Sequence, residues 1–122
     1  MKNPVLKSKS FDFSVAIIAV CKQMRKERTE FVLINQLLGS GTAIGVLIRE
    51  AEFGQSRADF ISKMSIALKE ANETEYWIDL LKTSGDLKAE KHADLSIRLK
   101  ELIRLLIATV KTAKLNGVRT VL

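Results

Sequence analysis

Apolar residues recur along this chain at the three- and four-residue spacing of amphipathic helices, in four segments separated by short polar or glycine-containing connectors. The spacing predicts helices over roughly 11–28, 30–51, 57–84 and 87–115. We find no run that alternates between apolar and polar residues as a strand does, and no internal repeat. Four helices with short connectors predict an all-α fold, an antiparallel up-down-up-down four-helix bundle formed as one domain by residues 1–122.

The same spacing indicates which residues of each helix face the core. In the first helix they are Phe11, Val15, Ile18, Cys21 and Met24. In the third they are Phe60, Met64, Ala67, Ala71 and Ile78. In the fourth they are Leu95, Leu99, Leu102, Leu106, Val110 and Ala113. Cys21 is the only cysteine and lies in an apolar run, so we expect a buried thiol rather than a reactive one.

Residues typical of helix ends punctuate these segments. The predicted N-caps are Ser10, Thr29, Ser56 and Asp86. Ser56 to Asp59 resembles a capping box, with Asp in the place of the usual Glu or Gln. Gly85 is expected just past the third helix and Asn116–Gly117 at the end of the fourth. Pro4, the only proline, is expected to lie outside any helix.

The second helix carries no charged residue from Phe31 through Ile48, which is 18 residues. That length approaches a membrane span, but Asn35, Gln36 and Thr42 make the segment polar for a helix that faces lipid. We therefore expect no membrane. A helix that is apolar on more than one face needs more cover than a four-helix monomer offers, which predicts that other copies of the chain shelter it.

Three glycines lie within seven residues of this helix, and each costs about 1 kcal/mol relative to alanine in a helix interior. Gly41 and Gly45, spaced as Gly-x-x-x-Gly, would let a second backbone approach closely, so we place them in the predicted oligomer interface. The alternative is a kink or break in the helix at 39–41.

The net charge of +6 is unevenly distributed along the chain. Residues 1–28 and 95–122 each carry +5, whereas residues 29–94 carry −4. Both termini of such a bundle lie at one end, so a basic end is expected there, formed by Lys2, Lys7, Lys9, Lys111, Lys114 and Arg119. The alternative is an ordinary solvated end that keeps the protein soluble.

Four cations of the fourth helix share one face, more than about 90° from its core stripe: Lys100, Arg104, Lys111 and Lys114. Ile107 lies among them, and Ile97 and Ile103 flank them. Isoleucines beside exposed cations predict contact with something other than water, and we include all three in the predicted oligomer interface. The cations, together with Lys7, Lys9 and Arg119, form the predicted contact with nucleic acid or another anion.

Catalytic and metal-binding patterns are missing from this sequence. His92 is the only histidine and lies near the start of a helix, where a surface role is typical. One histidine and one cysteine do not supply a zinc site, and we predict no metal, no cofactor and no enzymatic activity. The acids Glu70, Glu73, Glu75 and Asp79 read as a solvated face, although Glu75 lies beside the core stripe and would need a partner if buried.

Residues of the second and third helices resemble a known family. Residues 35–37 and 43–51 precede the segment 56–60, which leads to 66–77, and the most specific part is Ala-Leu-Lys-Glu-Ala followed by Glu-Thr-Glu-Tyr-Trp. This pattern resembles the four-helix bundle proteins of 23S rRNA intervening sequences, sometimes labelled ribosomal proteins. A more distant likeness is to the accessory variability determinant of diversity-generating retroelements.

The resemblance implies a left-handed up-down-up-down bundle that assembles as a homopentamer. The distant relative is a basic pentamer that binds a reverse transcriptase and nucleic acid. We therefore predict a homo-oligomeric, non-enzymatic module that binds RNA, DNA or a ribonucleoprotein. The alternative is a protein–protein scaffold whose basic face meets an acidic partner. The N-terminal residues show no secretory signal pattern, which predicts a cytoplasmic location.

Overall fold

In the computed structural model the chain forms four α-helices, and the structure describes the backbone of residues 3–121 and the side chains of residues 3–116. The helices are α1 (Pro4–Lys26), α2 (Phe31–Glu52), α3 (Arg57–Thr83) and α4 (Ala89–Val121). Within the described residues there is no strand. The predicted all-α fold of four helices is therefore confirmed.

Helix α1 begins seven residues earlier than the sequence predicted. Asn3 is its N-cap, and the Asn3 Oδ1 atom accepts a hydrogen bond from the backbone N–H of Leu6 at 3.1 Å. Pro4 occupies the first helical position, where its missing N–H removes no helical hydrogen bond. Ser10 is thus an interior residue, buried, with its hydroxyl donating to the Lys7 carbonyl at 3.0 Å. The predicted cap at Ser10 and the exclusion of Pro4 were wrong.

The predicted ends of α3 are confirmed, whereas the predicted N-cap of α2 is wrong. The Ser56 hydroxyl accepts from the Asp59 N–H at 3.0 Å, and Gly85 has a φ of 87°, so the cap and the stop of α3 are confirmed. Glu30, not Thr29, is the N-cap of α2 and makes no side-chain capping bond. A bend at Arg28, with a φ of 62°, redirects the chain before that helix.

Both predicted ends of the fourth helix were wrong. Helix α4 begins at Ala89, three residues beyond Asp86, whose carboxylate instead accepts from the Ser84 hydroxyl at 2.7 Å. It continues past Asn116–Gly117 to Val121. A single glycine costs a helix only about 1 kcal/mol, so it does not by itself stop one.

The helices pack in the order of the chain, and α1 also packs against α4, which closes the bundle. Helices α1 and α2 run antiparallel, because Lys7 pairs with Glu52 at 3.2 Å while Cys21 Sγ lies 3.9 Å from the Ile34 carbonyl oxygen. Two pairs, Glu50–Lys63 and Ser40–Thr74, show that α2 and α3 are also antiparallel. For α1 and α4 the evidence is the Lys9–Glu101 pair and the contact of Glu27, just past the end of α1, with Lys88, just before the start of α4. The left-handed sense of the bundle stays a prediction.

The core stripes of α3 and α4 are buried as predicted, apart from Val110, which is half-buried. The stripe of α1 differs in part: Met24 is buried as predicted, but the other large buried residues of this helix are Leu6, Phe13 and Ile17. The residues predicted from spacing, Phe11, Val15 and Ile18, are 60%, 53% and 40% exposed. Cys21 is buried as expected, and burial raises the pKa of its thiol to about 11.

Helix α2 is continuous through 39–41, so the predicted alternative of a break there was wrong. Gly41 is buried, and a Cβ built on it would lie 2.9 Å from Ile17 Cγ1 of α1. The close approach that Gly41 permits is therefore between α1 and α2 of one chain. The prediction that Gly41 admits the backbone of another copy is corrected accordingly. A Cβ on Gly39 would meet nothing within 4 Å.

Gly39→Ala and Gly41→Ala are expected to change stability in opposite directions. At Gly39 the new methyl group finds open space, so the higher helix propensity of alanine should stabilise the fold by roughly 0.5–1 kcal/mol. At Gly41 the methyl group would overlap the fully buried Ile17, which should cost about 1–3 kcal/mol. Urea unfolding of both variants at one protein concentration measures the two changes. Equal shifts of the midpoint would show that α1 does not pack closely on Gly41.

Candidate nucleic-acid interface and apolar face

Four cations of α4 form a basic stripe along one face of the helix. Lys100, Arg104, Lys111 and Lys114 are all exposed, and the helix places them within an arc of about 80° along a rise of about 21 Å. The opposite side of α4 holds the buried Leu99, Leu102 and Leu106. The core therefore fixes the direction in which the basic stripe faces.

Glu101 is the only acid between residues 95 and 116, and it lies about 100° around the helix from Lys100. The Lys9 ammonium group pairs with its carboxylate at 2.8 Å. This hydrogen bond, the charge of Lys9 and the charge of Arg104 together hold the pKa of Glu101 below its usual range. The basic stripe itself thus contains no acid.

Two of the six members of the predicted basic end, Lys7 and Lys9, have acidic partners within the chain. Lys7 pairs with Glu52 at 3.2 Å and Lys9 pairs with Glu101 at 2.8 Å, so each of these predicted anion contacts has an acid beside it. The reason is the early start of α1, which places both lysines inside a helix, against α2 and α4. Arg119 and Lys2 lie outside the residues whose side chains the structure describes.

Isoleucines accompany the basic stripe as the sequence predicted. Ile97 is 72% exposed and Ile107 is 40% exposed, whereas Ile103 is half-buried and packs against the core. Nothing in the structure tests whether they contact another copy, so that role stays a prediction.

A groove of about 550 Å³ lies between α3 and α4 beside this stripe. Its lining residues are Asn72 and Glu75 of α3 and Ile97, Lys100, Ile103 and Arg104 of α4. Glu75 is half-buried and lines the same groove as Lys100 and Arg104, two cations of the basic stripe. Sequence spacing marked Glu75 as unusual but did not identify these neighbours.

The opposite side of the bundle carries an apolar face, formed by Phe11, Val15 and Ile18 of α1 and by Val46 of α2. Val46 is 58% exposed. Between these helices lies a groove of about 410 Å³, whose lining includes Phe11, Ile18, Val46 and Gly45. Gly45 lies in the lining where α1 and α2 are close, and a Cβ there would contact the Ser10 carbonyl oxygen at 3.6 Å. Sequence spacing had assigned the three residues of α1 to the core and so missed this face.

The composition of α2 also indicates an apolar surface that a single chain does not bury. Within the described residues α2 is the one helix long and apolar enough to cross a membrane, with a mean hydropathy of 1.8. It packs against α1 and α3, yet only 33% of its most apolar segment is buried. Exposed apolar residues gathered on one face are typical of a contact site.

His92, Asp79 and Ser96 are the residue types of a catalytic triad, but their geometry is not that of a triad. His92 Nε2 lies 2.7 Å from Asp79 Oδ1 and 3.4 Å from Ser96 Oγ. Both contacts use one ring nitrogen, whereas a catalytic relay needs the acid on one nitrogen and the nucleophile on the other. The cluster therefore links α3 to α4. Among the described residues no group of three His, Cys, Asp or Glu is placed to hold a metal ion.

Comparison with known proteins gives one family. A sequence model of the 23S rRNA-intervening sequence proteins matches residues 2–108. A solved structure from Bacteroides thetaiotaomicron VPI-5482, described as a protein with unknown function from the S23 ribosomal protein family, is similar with a TM-score of 0.85. The two chains are 48% identical, and the match covers 87% of this chain and 98% of the other.

No curated protein matches significantly. Neither similarity names an activity. The match over most of the chain confirms the resemblance found in the second and third helices. The chain therefore belongs to the family of 23S rRNA-intervening sequence proteins.

Proposed function

We propose that this protein is a non-enzymatic, homo-oligomeric module of the cytoplasm that binds RNA or DNA, alone or within a ribonucleoprotein. The observation that carries the proposal is the basic stripe, in which four exposed cations follow one face of α4 with no acid among them. Lysine and arginine in such a row contact phosphates and release the counterions that surround them.

Binding through phosphate contacts depends little on the base sequence of the RNA or DNA. The lining of the groove beside the basic stripe contains no aromatic ring, so the bases have no stacking platform there. Tyr76 and Trp77 lie on α3, with their ring centroids 5.1 Å apart in an edge-to-face contact. Phosphate contacts therefore supply the affinity in this proposal.

Self-association through the apolar face is the second part of the proposal. Since the helices pack in cyclic order, the α1–α2 groove and the α3–α4 groove lie on opposite sides of the bundle. Association through the apolar face would leave the basic stripe of each copy free, so this proposal does not use Ile97, Ile103 and Ile107 as contacts between copies. A pentamer, which the family resemblance implies, would present five stripes, and several weak contacts on one ligand raise the overall affinity.

A salt titration with a 20-nucleotide RNA and a 20-base-pair DNA tests the nucleic-acid part. We expect binding to both at low salt and a loss of affinity as salt rises. For duplex DNA the slope of log K against log salt should be about −3 to −4 for four phosphate contacts per copy. If neither probe binds at about 20 mM salt, the proposal is contradicted.

A protein scaffold is the second candidate, favoured by one observation. Ile97 is 72% exposed beside cations, and apolar residues inside a charged surface are typical of protein interfaces. The partner would then present an acidic surface with apolar residues. Purification from cells with and without nuclease separates the candidates, because a protein partner that survives nuclease treatment favours the scaffold.

A further inference from the structure

Glu75 is the acid that lines the α3–α4 groove together with Lys100 and Arg104. It is half-buried, and within residues 3–116 no ion pair joins it to a cation within 4.0 Å. The neighbouring acids of α3 are placed differently. The carboxylate of Asp79 makes a hydrogen bond with the His92 ring. Glu73 is exposed and lies about 160° around the helix from Glu75.

Among the residues whose side chains are described, no acid lines a groove with Lys111 or Lys114, the other half of the basic stripe. Helices α3 and α4 are antiparallel, so Lys111 and Lys114 run beside the first turns of α3, where Phe60 and Ala113 line one groove. Residues 60–69 contain no acid. Asp59 precedes them and its carboxylate accepts from the Gln55 N–H at 3.4 Å, on the side of the α2–α3 connector.

We propose that Glu75 is a built-in counter-ion that weakens the hold of Lys100 and Arg104 on a phosphate, so that Lys111 and Lys114 form the dominant anion-binding half of the basic stripe. This inference rests on the proposed function for its biological meaning. Its physical basis is separate, since a carboxylate in the groove attracts the same two cations that a phosphate needs. A phosphate that enters the groove must also approach a negative charge.

The size of the effect follows from exposure. The groove is open to water, which screens the charges, and exposed charge pairs contribute little energy each. Removing the charge of Glu75 should therefore raise the affinity for a phosphate ligand by roughly threefold, and the gain should shrink as salt rises.

The experiment compares Glu75→Gln with Glu73→Gln, which makes the same change of charge outside the groove. The probe is a fluorescein-labelled 20-base-pair RNA, and each variant is also placed in a Lys100→Gln/Arg104→Gln background. We expect Glu75→Gln to bind about three times more tightly than wild type, Glu73→Gln to be nearly unchanged, and the gain to disappear in that background. In the wild-type background, Lys111→Gln/Lys114→Gln should lose more affinity than Lys100→Gln/Arg104→Gln.

Elution from a heparin column separates failure of the inference from failure of the proposed function. If Glu75→Gln elutes at higher salt than Glu73→Gln while no variant binds RNA, the counter-ion role stands and the nucleic-acid function does not. If the two variants elute together, or if the gain of Glu75→Gln persists without Lys100 and Arg104, the inference is overturned. Melting curves recorded on each variant identify any change of affinity that follows from a loss of folding.

Discussion

Replacing Ile18 with aspartate is expected to break the proposed homo-oligomer into single chains of 13.6 kDa while leaving the four helices folded. Ile18 is 40% exposed in the isolated bundle, so water can still reach a carboxylate at that position. When a second copy covers the apolar face, the same carboxylate would be buried without a partner, which costs several kcal/mol. That cost falls on association and not on folding.

Ile66→Asp is the matched control for this substitution. Ile66 is also 40% exposed but lies on α3, away from the α1–α2 groove. Light scattering on a size-exclusion column measures the mass of each variant, and circular dichroism measures its helix content. If the Ile18→Asp protein keeps the mass of the wild type, the apolar face is not the site of association. The same conclusion follows if the Ile66→Asp protein dissociates to the same extent.

Neutralising the whole basic stripe should abolish most nucleic-acid binding. In the variant with glutamine at Lys100, Arg104, Lys111 and Lys114, four phosphate contacts per copy are lost. We expect the affinity for duplex RNA at about 50 mM salt to fall by roughly two to three orders of magnitude. The slope of log K against log salt should also become less negative, by about three to four.

The control for that variant removes the same net charge elsewhere. Glutamine at Lys26, Lys69, Lys82 and Lys91 replaces four exposed cations that lie outside the basic stripe. If binding depends only on the overall charge of +6, both quadruple variants lose affinity alike. Fluorescence anisotropy with one RNA probe measures both, and an equal loss would contradict a localised binding face.

The helices of this fold could be predicted well where one periodic signal dominates. In α3 the residues Phe60, Met64 and Ile78 form a single apolar stripe, and Ser56 and Gly85 mark its two ends, so both its limits and its buried face were correct. In α4 the leucine stripe fixed the buried face, and therefore also the direction of the basic stripe.

Helix α1 shows why the rest could not be predicted. Residues 11–21 are apolar on two sides of the helix, so spacing alone allowed two choices of core face. Only packing against α2, where Gly41 makes room for Ile17, selects the Phe13 and Ile17 side. The face left outside became the candidate association surface, and the glycine that seemed to mark an interface between copies proved to be internal.

The charged residues of the candidate site depend on tertiary neighbours in the same way. Lys7 and Lys9 read as free cations in the sequence, but the extended α1 brings them to Glu52 and Glu101. Glu75 shares a groove with Lys100 and Arg104 only because α3 and α4 pack side by side. Pairings of this kind join residues that are distant in the chain, so no local pattern contains them.

The mass of the wild-type protein in solution tests the central claim, that copies of the chain cover the apolar face of α1 and α2. Light scattering at micromolar concentration should give a single species several times the mass of one chain. Five copies of the 13.6 kDa chain, the number that the resemblance implies, would give about 68 kDa. A stable species of 13.6 kDa over the same concentrations would contradict the claim.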